Sequence, residues 1–223
     1  MHRREFLRGT AAVAPVLAAL AGRPRRAAAQ EPAGLALPKP QIQGGRPLMQ
    51  ALSDRKTTRT ISEEKLSPQM LSNLLWAAWG VNRAASNGRT APSAMNAQEI
   101  GLYVFLEQGV YLFDEKAHSL KPVAAGDHRA QTGTQAGVAK APVSFVYVAD
   151  LDKFRSGTAE TKAAWSNAHA GFIGQNVYLF AASEGLASWF RAFVDAPALA
   201  QLLKLRSNQK VLYGHTVGYP AKA

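Results

Sequence analysis

Gly101-Leu-Tyr-Val-Phe-Leu-Glu-Gln-Gly-Val-Tyr-Leu-Phe113 is the stretch on which the reading of the fold turns. Two runs of aromatic and branched apolar residues, 101–106 and 110–113, stand on either side of Glu107-Gln108-Gly109, a connection short enough to close an antiparallel hairpin. A third short strand is expected at Ser119 to Val123. Further on, Pro142 precedes Val143-Ser-Phe-Val-Tyr-Val148, an unbroken apolar run that suits a central strand covered on both faces. Val211 to Gly218 reads as a last strand before Tyr219-Pro220.

Helical periodicity occupies the flanks of this strand set. From Pro47, Leu48, Met49 and Leu52 share one side of a helix that breaks into the basic turn Asp54-Arg55-Lys56-Thr57-Thr58-Arg59. Ser67-Pro68 supplies an N-cap and a first-turn proline for a helix whose Leu71, Leu74, Leu75 and Ala78 share a face, with Gly80 to close it. Residues 82–99 are polar and irregular, and Asp127 to Lys140 is weakly helical. The longest helix is expected from about Thr161 to Gly185. There Phe172, Ile173, Val177 and Phe180 follow the 3.6-residue period, and Ala168, Ala170, Gly171 and Gly174 permit close packing. A shorter helix spans Pro197 to Leu205. Helices, hairpin, strand, long helix and final strand, in that order, favour an α+β fold over a doubly wound α/β one.

Composition narrows the chemistry. The 223 residues contain no Cys, which excludes a disulfide scaffold, a thiolate metal site and a cysteine nucleophile. The net charge of +11 suggests nucleic acid at first sight. Much of it, however, belongs to Arg3, Arg4, Arg8, Arg23, Arg25 and Arg26, opposed only by Glu5, within residues 1–29. No run of Lys and Arg exceeds two residues, so a nucleic-acid partner is not expected. The same N-terminal segment places His-Arg-Arg-Glu-Phe-Leu-Arg ahead of fourteen uncharged residues, Gly9 to Gly22, and then Ala27-Ala28-Ala29. This is the pattern of an export leader, and the arginine pair followed by Phe-Leu resembles the twin-arginine signal. Fourteen residues fall short of the roughly 20 that span a bilayer, so no membrane anchor is expected in the mature chain. The organisation expected is therefore a leader at 1–29, an extended Pro- and Gly-rich arm at 30–46 and one domain at 47–223, working in the periplasm or otherwise outside the cytoplasm.

Motif absences direct attention to a bound cofactor. There is no Gly-x-Gly-x-x-Gly, no phosphate-binding P-loop and no Gly-x-Ser-x-Gly elbow. His2, His118, His128, His169 and His215 never stand three or four apart, so no protein metal site is expected. Two segments remain. Arg55-Lys56-Thr57-Thr58-Arg59 sets three cations and two hydroxyls within five residues, the donor set a phosphate monoester needs. Ala91-Pro92-Ser93-Ala94-Met95-Asn96-Ala97-Gln98 offers two amides and a hydroxyl to the edge of a planar heterocycle.

In order along the chain, these two segments are joined by Leu74-Leu-Trp-Ala-Ala-Trp-Gly80, Gly109-Val-Tyr-Leu-Phe113, Ala141-Pro142, Gly174-Gln-Asn-Val-Tyr-Leu179, Glu184-Gly-Leu186 and Val217-Gly-Tyr-Pro220. The ordered set resembles the nitroreductase family of FMN enzymes, in particular its branch related to the SagB-type azoline dehydrogenases. The resemblance implies a three-layer α+β sandwich with a central, mostly antiparallel sheet flanked by helices. It implies FMN as cofactor, with Arg55, Lys56, Thr57 and Arg59 at its phosphate and ribityl chain and Pro92, Ser93 and Asn96 at its ring. Phe190-Arg191-Ala192-Phe193 matches the loop whose backbone N–H faces flavin N5, with Ala192 where glycine is common. A homodimer is implied, with both subunits lining each flavin site. The implied activity is transfer of a hydride or electron pair through N5 to or from a small organic substrate, with no side chain required as acid or base. The electron donor is left open among NADH or NADPH, a quinone and a redox protein. Two other readings stay open: dehydrogenation of a peptide-derived heterocycle, and flavin or ligand binding without turnover. His169 and Asn176 are read as packing or capping groups on the long helix.

Overall fold

The hairpin forms as a two-residue turn, with Leu106 paired to Gly109 and Tyr103 to Leu112 across it. The computed structural model describes residues 33–222; the leader read at 1–29 lies outside the described residues. In chain order the elements are β1 (Leu35–Ala36), α1 (Leu48–Asp54), α2 (Pro68–Trp79), β2 (Val81–Arg83), β3 (Gly88–Arg89), β4 (Ile100–Leu106), β5 (Gly109–Asp114), β6 (Ser119–Ala125), β7 (Val143–Asp150), α3 (Ala159–Glu184), β8 (Ala187–Arg191), α4 (Ala196–Leu202) and β9 (Gln209–Gly218). Seven strands form one sheet in the order β1-β6-β5-β4-β7-β9-β8, and every neighbouring pair in it is antiparallel. The arm at 33–46 thus contributes an edge strand, Leu35 opposite Leu120.

Strand alternation divides the core into two layers. Leu102, Val104, Phe145 and Tyr147 face α2 and α3, where they join Leu74, Leu75, Trp79, Ile173 and Val177. Tyr103, Phe105, Val146 and Val148 face the other way, against Leu199 and Leu203 at α4. β7 is therefore buried on both sides, as its unbroken apolar run requires, and the molecule is a helix–sheet–helix sandwich.

Local chemistry sets the helix ends. The Ser67 hydroxyl accepts from the Met70 N–H at 3.1 Å with Pro68 behind it, and Thr158 caps α3 through the Thr161 N–H. Gly185 closes α3 in the left-handed region at φ +72°, turning the chain directly into β8.

Three expectations are corrected. Residues 127–140 hold only a single 3-10 turn, Arg129–Thr132, because Gly126 (φ +89°) and Gly137 (φ +87°) break the backbone. The buried Arg129 guanidinium ties this segment down, bonding Asp127 and the Ala141 carbonyl. The loop expected from Phe190 begins only at Ala192, since Ala187–Arg191 pairs with β9 as the far edge strand. Its Ser188 and Arg191 interrupt the apolar pattern that would have marked a strand. Finally, the basic stretch after α1 does not turn: it leaves the helix extended and runs along the free edge of β8, the Thr58 N–H donating to the Ser188 carbonyl at 3.0 Å. An isolated bridge from Ile61 to Pro220 continues that contact.

Candidate functional site

An extended segment sends alternate side chains to opposite sides, and this splits the five-residue donor set in two. Arg55, Thr57 and Arg59 fall on one side. The Arg55 guanidinium lies 5.4 Å from the centroid of the Tyr178 ring, the Thr57 hydroxyl is 2.9 Å from the Tyr178 hydroxyl, and the Arg59 guanidinium lies 5.4 Å from the Trp189 ring. Lys56 and Thr58 fall on the other, where they line a cleft of about 580 Å³ with Arg46, Asp54 and Pro220, a cleft that Tyr178 also reaches. Among the described residues no carboxylate stands within salt-bridge distance of Arg55, Lys56 or Arg59. Asp54, the nearest acid in sequence, is held by Gln50 and Arg46, which lower its pKa. The segment thus presents cations without counter-ions.

A second cleft, of about 480 Å³, opens beside Arg59 and Trp189 and is closed on its far side by Gln135, Ala136 and Gly137. The Gln135 side-chain oxygen is buried without a hydrogen-bond partner beside Gly133 and Arg191, out of reach of a ligand. Free cations, a hydroxyl and an indole form a set that fits a planar, anionic, heterocyclic group.

The strand edge behind this segment is internally saturated. The Phe190 N–H donates to the Tyr178 hydroxyl at 3.0 Å. The side chain of Arg191, whose backbone the resemblance sets near a cofactor, points into the fold: its guanidinium bonds the Thr132 carbonyl and the Thr216 hydroxyl. Burial, with no carboxylate partner, brings its pKa down to about 10. Ala192 is exposed, and its N–H meets no acceptor among the described residues. Behind the edge, His215 bonds Tyr147 and Ser188 at 3.0 and 2.7 Å. A serine beside a histidine resembles half of a nucleophilic triad. Both are buried, however, and the histidine's other partner is a phenol, so no substrate carbonyl reaches Ser188 and no carboxylate orients the imidazole.

The loop carrying Pro92, Ser93 and Asn96 is held under strain. Met95, Asn96 and Gln98 all have left-handed backbones, φ +54°, +52° and +49°, a conformation that costs on the order of 1–2 kcal/mol per non-glycine residue. Contacts from distant elements hold it. The Ala94 N–H donates to His169 Nε2 at 2.9 Å, and His169 Nδ1 meets the fully buried Glu99 carboxylate at 2.7 Å. Because Nε2 accepts, the ring proton sits on Nδ1 and points at the carboxylate. Gln98 adds bonds to Arg89, Asn87 and Asn96. Its own N–H reaches the Ser93 hydroxyl. His169 is thus a loop anchor, a role that sequence reading could not see because Glu99 lies 70 positions away.

The two candidate segments do not meet within one chain. One is held at Tyr178 and the other at His169, nine residues apart on α3. Nine residues are two and a half turns, so these side chains leave α3 on opposite sides, about 13 Å apart along the axis. Among the described residues no group of three or more His, Asp or Glu side chains is arranged to hold a metal ion.

A sequence model of the nitroreductase family matches residues 52–219. A crystal structure from Ralstonia eutropha, of a protein provisionally named a nitroreductase, superposes with a TM-score of 0.81 at 36% identity, covering 85% of this chain and 90% of that one. A Methanocaldococcus jannaschii protein, also provisionally named a nitroreductase, is 27% identical over 176 residues, 74% of this chain and 88% of its own length. The NADPH:FMN oxidoreductase of Vibrio harveyi, solved with NAD+, shares the fold at TM-score 0.58 and 18% identity, covering 78% of this chain and 69% of that one.

Proposed function

The chain belongs to the nitroreductase family, whose kind of function is oxidoreduction, and from that premise we propose that it is an FMN-dependent oxidoreductase acting as a homodimer on a small organic substrate. The observation that carries the reading is the face formed by Arg55, Thr57 and Arg59, two guanidiniums without counter-ions and a hydroxyl set against Tyr178 and Trp189. Charge, forked donors and a short hydroxyl suit a phosphate monoester, and the neighbouring indole suits a flat ring. The name of the Vibrio harveyi relative couples this fold with FMN. When bound, FMN supplies the transfer of a hydride or electron pair between donor and acceptor. The chain's own residues bind and orient: the cationic segment takes the phosphate, and the exposed N–H at Ala192 offers a hydrogen bond to a ring nitrogen.

The separation of the Pro92–Asn96 loop from the cationic segment supports the homodimer, because a second copy is what brings a loop to a site on the far side of α3. Exposed apolar side chains support it as well: Leu48, Met49 and Leu52 on α1 are 63%, 75% and 44% exposed, and Met95 and Phe172 stand open beside the loop. This unpaired apolar surface suits burial against an identical chain. We also propose export by the twin-arginine route, supported by the leader pattern at residues 1–29. No helix of the described residues is long and apolar enough to cross a membrane.

The test is steady-state reduction of a nitroaromatic and of a quinone by FMN-loaded protein, with NADH, NADPH, a quinol and a small redox protein offered in turn as donor. Turnover well above that of the same concentration of free FMN supports the reading. Rates equal to free FMN with every donor would contradict it.

A further inference from the structure

We infer that Tyr178 is a positioning residue for phosphate recognition, fixing the direction in which the Thr57 hydroxyl offers its proton; the inference rests on the FMN reading of the same site. Three contacts converge on this one side chain. Its hydroxyl accepts from the Phe190 N–H at 3.0 Å, the same hydroxyl lies 2.9 Å from Thr57 Oγ1, and its ring lies beneath the Arg55 guanidinium. Among the described residues no other side chain in the site links the β8 edge, α3 and the segment after α1.

Proton accounting gives the relay its direction. The phenolic oxygen already accepts from Phe190, and the phenol has one proton to place. Thr57 Oγ1 is the only acceptor near it among the described residues. If Thr57 donated instead, the phenol proton would have no acceptor among the described residues, whereas the aliphatic hydroxyl would lose an exposed, freely rotating donor. All protons are satisfied by the chain Phe190 N–H to Tyr178 O–H to Thr57 O–H, in which the last proton is left over. Thr57 is exposed and carries that proton on the face where Arg55 and Arg59 stand without counter-ions, so the relay ends on an anion. A phenol that accepts from a backbone amide is also a stronger donor, and the polarisation passes along the chain.

The relay acts on the phosphate and not on the ring. Riboflavin carries the same isoalloxazine as FMN and lacks the phosphate, so the two ligands read the relay differently. Affinities of FMN and riboflavin are measured for the wild type, Tyr178→Phe, Thr57→Val and the double variant. Tyr178→Phe keeps the ring under Arg55 and removes only the hydroxyl. It is expected to weaken FMN about tenfold, the scale of one hydrogen bond to a charged group, and to leave riboflavin unchanged. In the Thr57→Val background the same substitution is expected to cost FMN much less, because the relay has already lost its end. Equal weakening of FMN and riboflavin, additive effects in the double variant, or FMN affinity unchanged in Tyr178→Phe would each overturn the inference while leaving the FMN reading intact. A wild-type protein that takes up neither flavin would overturn both.

Discussion

Arg55 has one ring beneath it and, among the described residues, no carboxylate within salt-bridge distance, so its charge is available to a ligand. Arg55→Ala is expected to weaken FMN by about 1.5–3 kcal/mol, the value of a charge-assisted contact, read as a loss of about ten- to a hundredfold in affinity by fluorescence titration; unchanged affinity would exclude it from the phosphate site. His215 governs a different property. Burial, reinforced by the nearby Arg191 charge, brings its pKa from 6.5 down to about 3. Between those values the unfolded chain binds a proton that the folded chain refuses. Stability is therefore fully present above about pH 6.5 and falls as the pH drops towards 3, by about 1.4 kcal/mol per pH unit. His215→Gln, which retains an amide for Ser188 and Tyr147, removes this dependence. Between pH 7 and pH 5 the wild type is expected to lose about 2 kcal/mol more than the variant in urea unfolding, and parallel losses would assign the acid sensitivity elsewhere. Little of this was legible residue by residue. Tyr178 and Thr57 stand 121 positions apart and Glu99 and His169 stand 70 apart, and no local pattern announces such a pair.

At the scale of elements, α3 is the axis about which the site is arranged. One end of it holds the cationic segment and the middle holds the strained loop, while Gly174 lets β8 approach. A β-carbon at Gly174 would stand 2.8 Å from the Phe190 ring, and that ring is hemmed by Tyr147 and Tyr213. Overpacking of about 1–3 kcal/mol competes with about 1 kcal/mol of gained helix propensity. Gly174→Ala is therefore expected to be destabilising by up to about 2 kcal/mol in thermal unfolding; a variant more stable than the wild type would show that Phe190 moves aside. Gly171, in the same small-residue stretch, has nothing within 4 Å of an added β-carbon and Ala168 is exposed, so close packing is the work of the buried Ala170 and Gly174. His169→Ala would leave the Glu99 carboxylate buried with no partner, at a cost of about 3 kcal/mol. It is also expected to open the Ala91–Gln98 loop to limited proteolysis, and an intact loop would assign the anchoring to Gln98 instead. The hairpin and β7 were legible in the sequence because each carries concentrated apolar runs, and α3 because its buried Ile173 and Val177 recur at helical spacing. β8 was not, because an edge strand five residues long carries inward polar groups, and the cationic stretch looked like a turn because composition does not report extension.

At the scale of the whole molecule, the proposed homodimer is what would bring the two candidate segments together, since they lie on opposite sides of α3 within one chain. Met49→Glu and Leu48→Glu place a charge on the exposed apolar face of α1. They are expected to convert a two-chain particle to a single chain by light scattering, and to lose bound flavin with it; retention of FMN by a monomer would show that one chain completes the site. The central claim is that this chain is a flavoprotein, and the most direct test is the absorption spectrum of the purified protein followed by identification of what heat releases. Oxidised-flavin bands, with FMN in the supernatant or taken up stoichiometrically on addition, are the predicted result. A colourless protein that fails to bind added FMN would contradict the account and leave the Arg55–Arg59 face as a site for some other anion.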